Sequence, residues 1–362
     1  MRILELCLAS SLGGLELYFH RCCQHFTSSG HLSLAVVAPE TRLASLMKQD
    51  GIQHTTLPPG RWYNVIGRAI TLASIIKEQQ IDILHVHHKA DLLVVALSKR
   101  LTSYSFSVVH TRQMTLHHTK KDLYHRFLYS SIDLFIAITN QVQQQLRQNI
   151  AVDPRRVVRL YYGVSAPPQS SPSTNDPKPS QTQIGVFSRI DRMKGQHVIV
   201  EALHHLRQRG ITPSTYFYGD TMDESYVTRL KESIQEYSLE SQIHFMGFHP
   251  NATSLMPQMD IIVMPSLNET FGLTLIEAML GEVAVVGTNY GGIPEIIDDD
   301  ENGLLFEREN SRQLADCLQK LVDDPSLRTR LAQAGREKAK EQFQASDHFA
   351  RLTQLMNNVS TA

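Results

Sequence analysis

The sequence predicts an α/β protein of two doubly wound, Rossmann-like domains, and three observations support this. Short apolar runs alternate with helical stretches through both halves of the chain. A Pro- and Ser-rich segment, 166–183, interrupts the alternation, which restarts after it. The length of 362 residues also exceeds that at which a single core stops growing. Continuous apolar strands separated by helices are typical of parallel sheets covered on both faces.

The first half, 1–165, opens on the run RILELCLA, which predicts a buried strand. The next stretch predicts an amphipathic helix with one apolar face, formed by Leu15, Tyr18, Phe19, Cys22 and Phe26. Further strands are predicted at LSLAVVA, IDILHVHH, FSVVHT and DLFIAIT. This order predicts one complete parallel-sheet domain.

The second half, 184–342, follows the predicted linker 166–183 and repeats the pattern. Strands are predicted at IGVFSRI, TYFYG, IHFMGF, DIIVMPS, VAVVGT and GLLF, with helices near 309–323, 325–342 and 345–358. We expect the C-terminal helix, within 343–362, to pack back on the first domain. Doubly wound sheets bind ligands at the carboxyl ends of their strands, so the two domains are expected to face each other across a cleft.

Composition excludes several classes of function. Lys plus Arg number 35 and Asp plus Glu 36, so the chain lacks the positive field of a nucleic-acid-binding protein. The four cysteines show no CxxC pair or metal-ligand spacing, which favours a reduced, cytoplasmic location. No apolar run approaches the ~20 residues needed to cross a bilayer, and the N-terminal residues lack the features of a secretory signal.

Two carboxylates in the second half indicate a hydroxyl-rich ligand. Glu269 follows the predicted strand DIIVMPS, and Glu277 lies in the next helix. The start of that helix directs backbone N–H groups and a positive dipole end to the same place. A carboxylate there accepts hydrogen bonds from hydroxyl groups but repels phosphate, so any phosphate of the ligand needs a cation nearby.

The first βα turn of this half supplies such cations. Arg189, Arg192 and Lys194 lie just past a predicted strand in FSRIDRMKGQ. Arginine grips phosphate oxygens in bidentate fashion, and lysine supplies a point charge. A later glycine turn, NYGGIPEII, is expected to let the backbone approach a ligand closely at Gly291 and Gly292.

These motifs occur together in one known family. The segments SRIDRMKG, GDTMD, FMGF, DIIVMPSLNETFGLTLIEAML and YGGIPEII…NGLLF follow one another as in the donor half of the retaining nucleotide-sugar glycosyltransferases of family 4. The resemblance covers most of the chain and is strongest from Gly185 to Phe306. It implies the GT-B architecture, in which two Rossmann-like domains flank a cleft.

The resemblance implies roles for individual residues. Glu269 would contact the hydroxyls of the donor sugar and Glu277 the ribose, while Arg189 and Lys194 would hold the pyrophosphate. The other donor-binding residues it implies are Gly13, Gly14, Thr270, Phe271, Gly272 and Leu273. Cations neutralise the pyrophosphate in this family, so we expect no metal and no cofactor. The acidic run 298–301 is therefore interpreted as a solvated turn.

The chain also departs from the family pattern. Glu282 and Ala284 stand where the family has Gly and Pro, and Tyr162 replaces an Asn. The position after β-strand FSVVHT where many members carry a donor-contacting His is Gln113 here. Glutamine donates a hydrogen bond but is no base at neutral pH, which suits retention by front-face attack, where the leaving phosphate accepts the proton. Whether Gln113, His110 or His117 fills this place stays open.

His85 and His87 lie two apart at the end of a predicted strand, a spacing that could chelate a metal. No third ligand stands at a supporting spacing, which favours packing or a lining role instead.

The stretch 112–128 mixes basic residues with apolar ones at helical spacing. The basic members are Arg112, Lys120, Lys121 and Arg126, and the apolar ones Leu123, Tyr124, Phe127 and Leu128. Such a stretch fits either an ordinary core-facing helix or a helix on an anionic membrane. It therefore leaves open a peripheral location on the inner face of the plasma membrane.

We therefore predict a metal-independent, retaining glycosyltransferase of the hexosyltransferase type. The catalytic residues would be Arg189, Lys194 and Glu269, with Gln113 or His110. The acceptor is expected to be a glycolipid or oligosaccharide, as in lipopolysaccharide or envelope polysaccharide synthesis. A sugar-nucleotide epimerase on the same fold and a non-catalytic nucleotide-sugar-binding protein are the alternatives.

Overall fold

A computed structural model describes residues 1–58, 64–116, 118–165, 181–249 and 251–360. His117 and most of the predicted linker, 166–180, lie outside the described residues. Internal contacts divide the chain into two compact units. The first comprises 1–161 together with 346–362, and the second comprises 162–345.

The first unit holds a seven-stranded parallel sheet. Its strands are β1 (Arg2–Cys7), β2 (Leu32–Val37), β3 (His54–Thr56), β4 (Ile83–Val86), β5 (Ser107–Arg112), β6 (Leu134–Ala137) and β7 (Val157–Arg159). Its helices are α1 (Gly14–Ser28), α2 (Arg42–Gln49), α3 (Val65–Glu78), α4 (Leu92–Leu101), α5 (Leu123–Tyr129) and α6 (Asn140–Asn149). The strand order is β3-β2-β1-β4-β5-β6-β7.

The second unit holds a six-stranded parallel sheet. Its strands are β8 (Gln183–Phe187), β9 (Ser214–Tyr218), β10 (Ile243–Gly247), β11 (Ile261–Met264), β12 (Ala284–Thr288) and β13 (Leu304–Phe306). Its helices are α7 (Gln196–Gln208), α8 (Glu224–Glu236), α9 (Leu273–Leu280), α10 (Ser311–Asp323) and α11 (Pro325–Gln342). The strand order is β10-β9-β8-β11-β12-β13.

The predicted fold class, two parallel-sheet α/β domains, is confirmed. Strand β1 shows how the pattern produces it: Leu4 and Leu6 pack in one core cluster and Cys7 in another, on the opposite face of the sheet. A strand buried on both faces reads as a continuous apolar run. Asp324 caps α11 by accepting the backbone N–H of Leu327 at 2.9 Å, and Pro325 occupies the first helical position, where its missing N–H costs nothing.

Three details differ from the predicted elements. The short edge strands β3 and β7 have no apolar run to mark them, and three residues are too few for periodicity to show. Gln183 was assigned to the linker but begins β8. Its backbone N–H donates to Asp260 at 2.9 Å, which fixes the strand at its first residue.

The order of the sheets determines where ligands bind. In each sheet the first strand has the second on one side and the fourth on the other, so consecutive βα connections diverge between them. Doubly wound sheets bind ligands outside the carboxyl ends of the strands at this point. The loops after β1 and β4 therefore mark one candidate edge, and those after β8 and β11 the other.

Helix α12 (Ala345–Ser360) belongs to the first unit. His348 is buried, and its Nδ1–H donates to the carbonyl of Tyr161 at 2.6 Å. Its Nε2 therefore accepts from the Tyr18 hydroxyl at 3.0 Å. Phe349 stacks on His25, with ring centroids 4.3 Å apart. None of the helices in the described ranges has the length and apolar character that a bilayer crossing requires.

Candidate active site

An ion pair joins the two loops at the divergence point of the second sheet. Lys194 follows β8, Glu269 follows β11, and the Lys194 Nζ lies 2.8 Å from the Glu269 Oε2. Both side chains stay partly exposed, at 22% and 19%. The sequence predicted both residues at the site but not their contact, because 75 residues separate them.

Backbone contacts hold this pair in register. The N–H of Leu267 donates to the carbonyl of Met193 at 2.8 Å, which ties the two loops together. Gly195, next to the lysine, has a φ of +75°, and a Cβ there would lie 1.9 Å from the carbonyl oxygen of Pro265. Only glycine fits both the conformation and the close approach.

The glycine turn at 291–292 supports the carboxylate. The N–H of Gly292 donates to the carbonyl of Glu269 at 2.9 Å. A Cβ on Gly291 would lie 2.0 Å from that same oxygen, and one on Gly292 would lie 2.2 Å from the carbonyl of Thr270. The close approach seen at these glycines is to the backbone that carries Glu269, and their approach to a ligand stays a prediction.

Arg189 is the second cation at this edge. It lies two residues after the end of β8, its side chain is exposed, and its carbonyl accepts from Gln196 Nε2 at 2.9 Å. Within the described ranges no carboxylate pairs with its guanidinium, which leaves it accessible to an anion. Arg192 lies in the same loop as Arg189. Its guanidinium instead has a partner, since one nitrogen lies 3.8 Å from a carboxylate oxygen of Glu309.

Helix α9 presents its less buried face next to Glu269. Gly272, with a φ of +113°, precedes the helix, and Leu273, Thr274 and Glu277 are its partly exposed residues. Thr274 lies three residues before Glu277 and Leu273 lies four before it, so all three side chains share one face of the helix. The positive dipole end of α9 lies one turn from Glu277.

The ring of Phe271 packs inside the second unit, and its predicted contact with the donor stays a prediction. Its ring is buried and packs edge-on against Tyr162 at 5.4 Å and against Phe343 at 5.9 Å between centroids. The side chain thus anchors the loop. Tyr162, which replaces the family Asn, is part of this packing.

Glu282, at the place of a family Gly, has a left-handed φ of +56°. Glycine takes this conformation at no steric cost, whereas glutamate is strained there. Its carboxylate forms an ion pair with Arg336. The glutamate that replaces the family glycine is therefore accommodated in its own turn, and strand β12 follows it as expected.

The acidic run 298–301 lies in a turn. Asp298 pairs with Lys338 at 2.7 Å, and Asp300 pairs with Lys320. These two carboxylates are thus paired with lysines of α10 and α11.

In the first unit, Gly13 and Gly14 lie between β1 and α1. The backbone N–H of Gly13 donates to the Glu16 carboxylate at 2.7 Å. Neither glycine has a positive φ, and a Cβ on Gly14 would meet no atom of the described residues within 4 Å. The fold of this unit therefore does not itself demand glycine at 14, which is compatible with a ligand passing close to it.

Gln113 and His110 line one small cavity, together with His87 and Arg112. The His110 Nδ1–H donates to the Val86 carbonyl at 2.9 Å. Its Nε2 and the Gln113 Nε2 have no hydrogen-bond partner among the described residues. Burial and the nearby Arg112 charge lower the pKa of His110 to about 3. His110 is thus neutral at neutral pH and a weak base.

A buried polar cluster lies between the sheet of the first unit and α1, beside β1 and β4. Glu5 accepts from His85 Nδ1 at 3.1 Å and from His87 Nε2 at 2.6 Å, and His85 Nε2 lies 2.7 Å from the Thr111 hydroxyl. Cys22 lies beside them. Burial alone would raise the pKa of Glu5, but the charge and hydrogen bonds of the two histidines lower it to about 2.

Sequence reasoning found the two histidines of this cluster and missed the glutamate. One signal was present: Glu5 is the only acidic residue inside the apolar run of β1. Parallel pairing of β1 with β4 sets Glu5 opposite His85, and that pairing is a property of the fold.

Only some side chains of the basic stretch 112–128 are exposed to solvent. Arg112 is buried, and its guanidinium donates to the carbonyls of Met114 at 2.8 Å and Thr115 at 3.2 Å. Leu128 is also buried. Leu123 and Tyr124 are exposed by 85% and 52%. The structure therefore contradicts the regular amphipathic pattern, because Leu123 and Tyr124 face away from the core that holds Leu128.

The chain matches two family models. The model described as Glycosyltransferase Family 4 matches residues 12–166, and the one described as Glycosyl transferases group 1 matches residues 171–338. Together they span most of the chain. The first match lies mainly in the first unit, and the second lies in the second unit.

Curated relatives and solved structures agree with these matches. The N-acetyl-alpha-D-glucosaminyl L-malate synthase of Bacillus anthracis is 23% identical over 76% of this chain and 74% of its own. The lipopolysaccharide core biosynthesis mannosyltransferase LpcC of Rhizobium leguminosarum is 24% identical over 76% and 79%. HepE of Anabaena, crystallised with UDP, superposes with a TM-score of 0.85 at 20% identity over 99% and 100%. This last likeness shows that the fold is shared.

Proposed function

Since this chain belongs to the group 1 glycosyltransferases of family 4, we propose that it transfers a sugar from a nucleotide-diphosphate donor to a glycan or glycolipid acceptor. The observation that carries the proposal is the Lys194–Glu269 pair at the divergence point of the second sheet. That point combines a cation for phosphate with a carboxylate for hydroxyl groups.

In this proposal, Lys194 and Arg189 bind the pyrophosphate of the donor, and Glu269 binds its sugar. Before the donor binds, Lys194 neutralises Glu269 and holds its carboxylate in place. The pyrophosphate then competes for Lys194, and the exposed Arg189 adds bidentate contacts. Glu269 is left to accept hydrogen bonds from the sugar, and Glu277 reaches the ribose from α9.

We propose that transfer proceeds with retention and without a metal at the diphosphate. The bond from the anomeric carbon to the phosphate oxygen breaks, the bond to the acceptor oxygen forms on the same face, and the leaving phosphate takes the acceptor proton. Charge develops on that phosphate, where Arg189 and Lys194 stabilise it. The low pKa of His110 supports this scheme, because that imidazole is a poor base.

Gln113 has an orienting role in this scheme. Its Nε2 has no hydrogen-bond partner among the described residues and faces a cavity at the carboxyl end of β5. A donor N–H in this place can hold a sugar hydroxyl. Gln113→Ala should slow transfer mildly, and Gln113→His should retain activity, since imidazole also donates a hydrogen bond.

The acceptor is proposed to be an envelope glycan such as lipopolysaccharide, with the enzyme peripheral on the inner face of the plasma membrane. Support comes from the curated relative named for lipopolysaccharide core synthesis. The exposed Leu123 and Tyr124 beside Lys121 and Arg126 also form the mixture of apolar and basic side chains that suits an anionic interface.

The test is a transfer assay preceded by a thermal-shift screen of uridine, guanosine and adenosine diphosphate sugars. UDP-sugars come first, because UDP is the nucleotide of the HepE crystal. We expect one donor to raise the melting temperature and to glycosylate a lipopolysaccharide-core acceptor without added Mg²⁺ or Mn²⁺. The glycosidic linkage should keep the anomeric configuration of the donor, as NMR can show.

Other outcomes identify the alternatives. A donor sugar altered in the absence of any acceptor would establish an epimerase. Tight donor binding without turnover on a broad glycan panel would establish a binding protein. An inverted linkage would overturn the retaining mechanism while leaving the transferase activity in place.

A further inference from the structure

We propose that Glu5, Cys22, His85 and His87 form a buried site for a zinc-class divalent metal in the core of the first unit. One ligand atom from each residue lies within 4.8 Å of all the others, and all four residues are buried. Two imidazoles, a thiol and a carboxylate are the ligand types that zinc takes in proteins, and four is the coordination number of its closed structural sites.

Charge balance favours a divalent cation here. An ionised carboxylate enclosed in a protein core needs a compensating positive charge, and the Glu5 side chain is fully buried. When Cys22 Sγ binds the metal, its thiol proton passes to solvent. One thiolate, one carboxylate and two neutral imidazoles then cancel the two charges of the cation, and the centre is neutral.

The surroundings of His85 match those of a metal ligand. Its Nδ1 faces Glu5, and its Nε2 lies 2.7 Å from the Thr111 hydroxyl. Histidines that bind metals usually donate their second N–H to such an outer-shell group, which fixes the tautomer and the ring. Thr111 can thus accept from Nε2–H and leave the Nδ1 lone pair for the metal.

The fold explains why these four residues meet. Glu5 and His85 are partners in the parallel pairing of β1 with β4. His87 lies two residues further along the same face, and Cys22 comes from the buried face of α1. A bound metal would therefore fix α1 to the two central strands. The proposal does not rest on the glycosyltransferase reaction, whose diphosphate-binding residues belong to the second unit.

The metal competes with a simpler state of the same cluster. Without it, His85 and His87 each donate a hydrogen bond to Glu5, and Cys22 is a free, buried thiol that keeps its proton. The two states differ in the ionisation of Cys22. A spectroscopic probe of the thiolate therefore separates them.

The experiment uses the full chain produced with Zn²⁺ or with Co²⁺ supplied during expression, since a buried site fills as the protein folds. We expect about one metal ion per chain by elemental analysis. The cobalt form should show a thiolate-to-cobalt charge-transfer band and the visible bands of four-coordinate Co²⁺, and excess Zn²⁺ should bleach both. Substoichiometric metal, or cobalt without a thiolate band, would overturn the proposal.

Paired variants locate the site. Cys22→Ser should lose the charge-transfer band and weaken binding by more than the ~10–100-fold that loss of an outer-shell partner costs. Cys23→Ser is the matched control, because Cys23 is adjacent and equally buried but outside the cluster. Thr111→Val should weaken binding within that range and keep the band. If Cys22→Ser does not fold, the wild-type spectrum and its bleaching decide the question alone.

Discussion

At the scale of single residues, we expect the largest loss of activity when Lys194 or Arg189 of the second unit is replaced. Lys194→Ala or Arg189→Ala should lower kcat by about two to three orders of magnitude, as loss of an oxyanion donor does. The control is Arg192→Ala in the same turn, whose guanidinium lies beside Glu309 and should matter little. Because Lys194 also holds Glu269, Lys194→Ala and Glu269→Ala should be non-additive in a double-mutant cycle. Full additivity would show that the ion pair has no function.

Glu277 gives a second test at this scale. It lies on the partly exposed face of α9, and loss of a charged hydrogen bond to ribose costs roughly 1.5–3 kcal/mol. Glu277→Ala should therefore weaken binding of the free nucleotide diphosphate by about tenfold or more, as calorimetry can measure. Glu232→Ala, an exposed glutamate of α8, is the control. Unchanged affinity in Glu277→Ala would remove the residue from the donor site.

At the scale of elements, α12 has a built-in acid sensitivity. Burial lowers the pKa of His348 to about 4, although its hydrogen bond to Tyr161 opposes the shift. The unfolded imidazole takes up its proton near pH 6.5, so between these values the unfolded chain binds more protons. The free energy of unfolding contributed by His348 therefore falls as the pH drops through this window, by up to about 1.36 kcal/mol per pH unit.

His348→Gln should remove that dependence. The variant should be less stable at neutral pH, since the Tyr18 contact is disturbed, but its urea-unfolding free energy should change less between about pH 4.5 and 6.5. His118→Gln, on an exposed residue, should leave the slope unchanged. An identical slope in His348→Gln and the wild type would mean that other groups account for the acid sensitivity.

The element around α5 tests the membrane proposal. Replacing Lys120, Lys121 and Arg126 with Gln should reduce co-sedimentation with anionic vesicles, since each basic residue contributes about 1 kcal/mol near such a surface. The control carries the same loss of charge elsewhere in the first unit, at the exposed Arg42, Lys48 and Lys77. Equal loss of binding in both variants would indicate a general charge effect. A wild type that ignores anionic vesicles at low salt would refute the proposal.

At the scale of the whole molecule, the two sheets share one strand order but differ in the chemistry at their carboxyl edges. Cations, a carboxylate and a helix N-terminus surround the divergence point of the second sheet, which is the combination a sugar nucleotide needs. A saturating nucleotide diphosphate, at 100 times its Kd, should stabilise the folded state by about 2.7 kcal/mol. Hydrogen exchange should slow most in the loops after β8 and β11. Protection confined to the first unit would contradict the assignment of the donor to the second.

Local sequence patterns were enough to predict the fold class and nearly all the strands, and they singled out Lys194 and Glu269 as candidate donor-site residues. These follow from local patterns: apolar runs predict strands, apolar periodicity predicts helices, and Lys194 and Glu269 each stand just after a strand. Such signals are read within a few residues, and the family motifs are equally local. The three-residue strands β3 and β7 were missed because they are too short to carry a pattern.

Which of these residues touch one another is a property of the folded chain and cannot be read from local patterns. The Lys194–Glu269 pair, the support that Gly291 gives to Glu269, and the meeting of Glu5 with His85 all join residues far apart in the chain. Each contact depends on which strands become neighbours and in what register. Two other strands lie between β1 and β4 in the sequence, and two lie between β8 and β11. Burial of Arg112 and exposure of Leu123 were hidden for the same reason: whether a side chain faces core or solvent is set by what packs against its element.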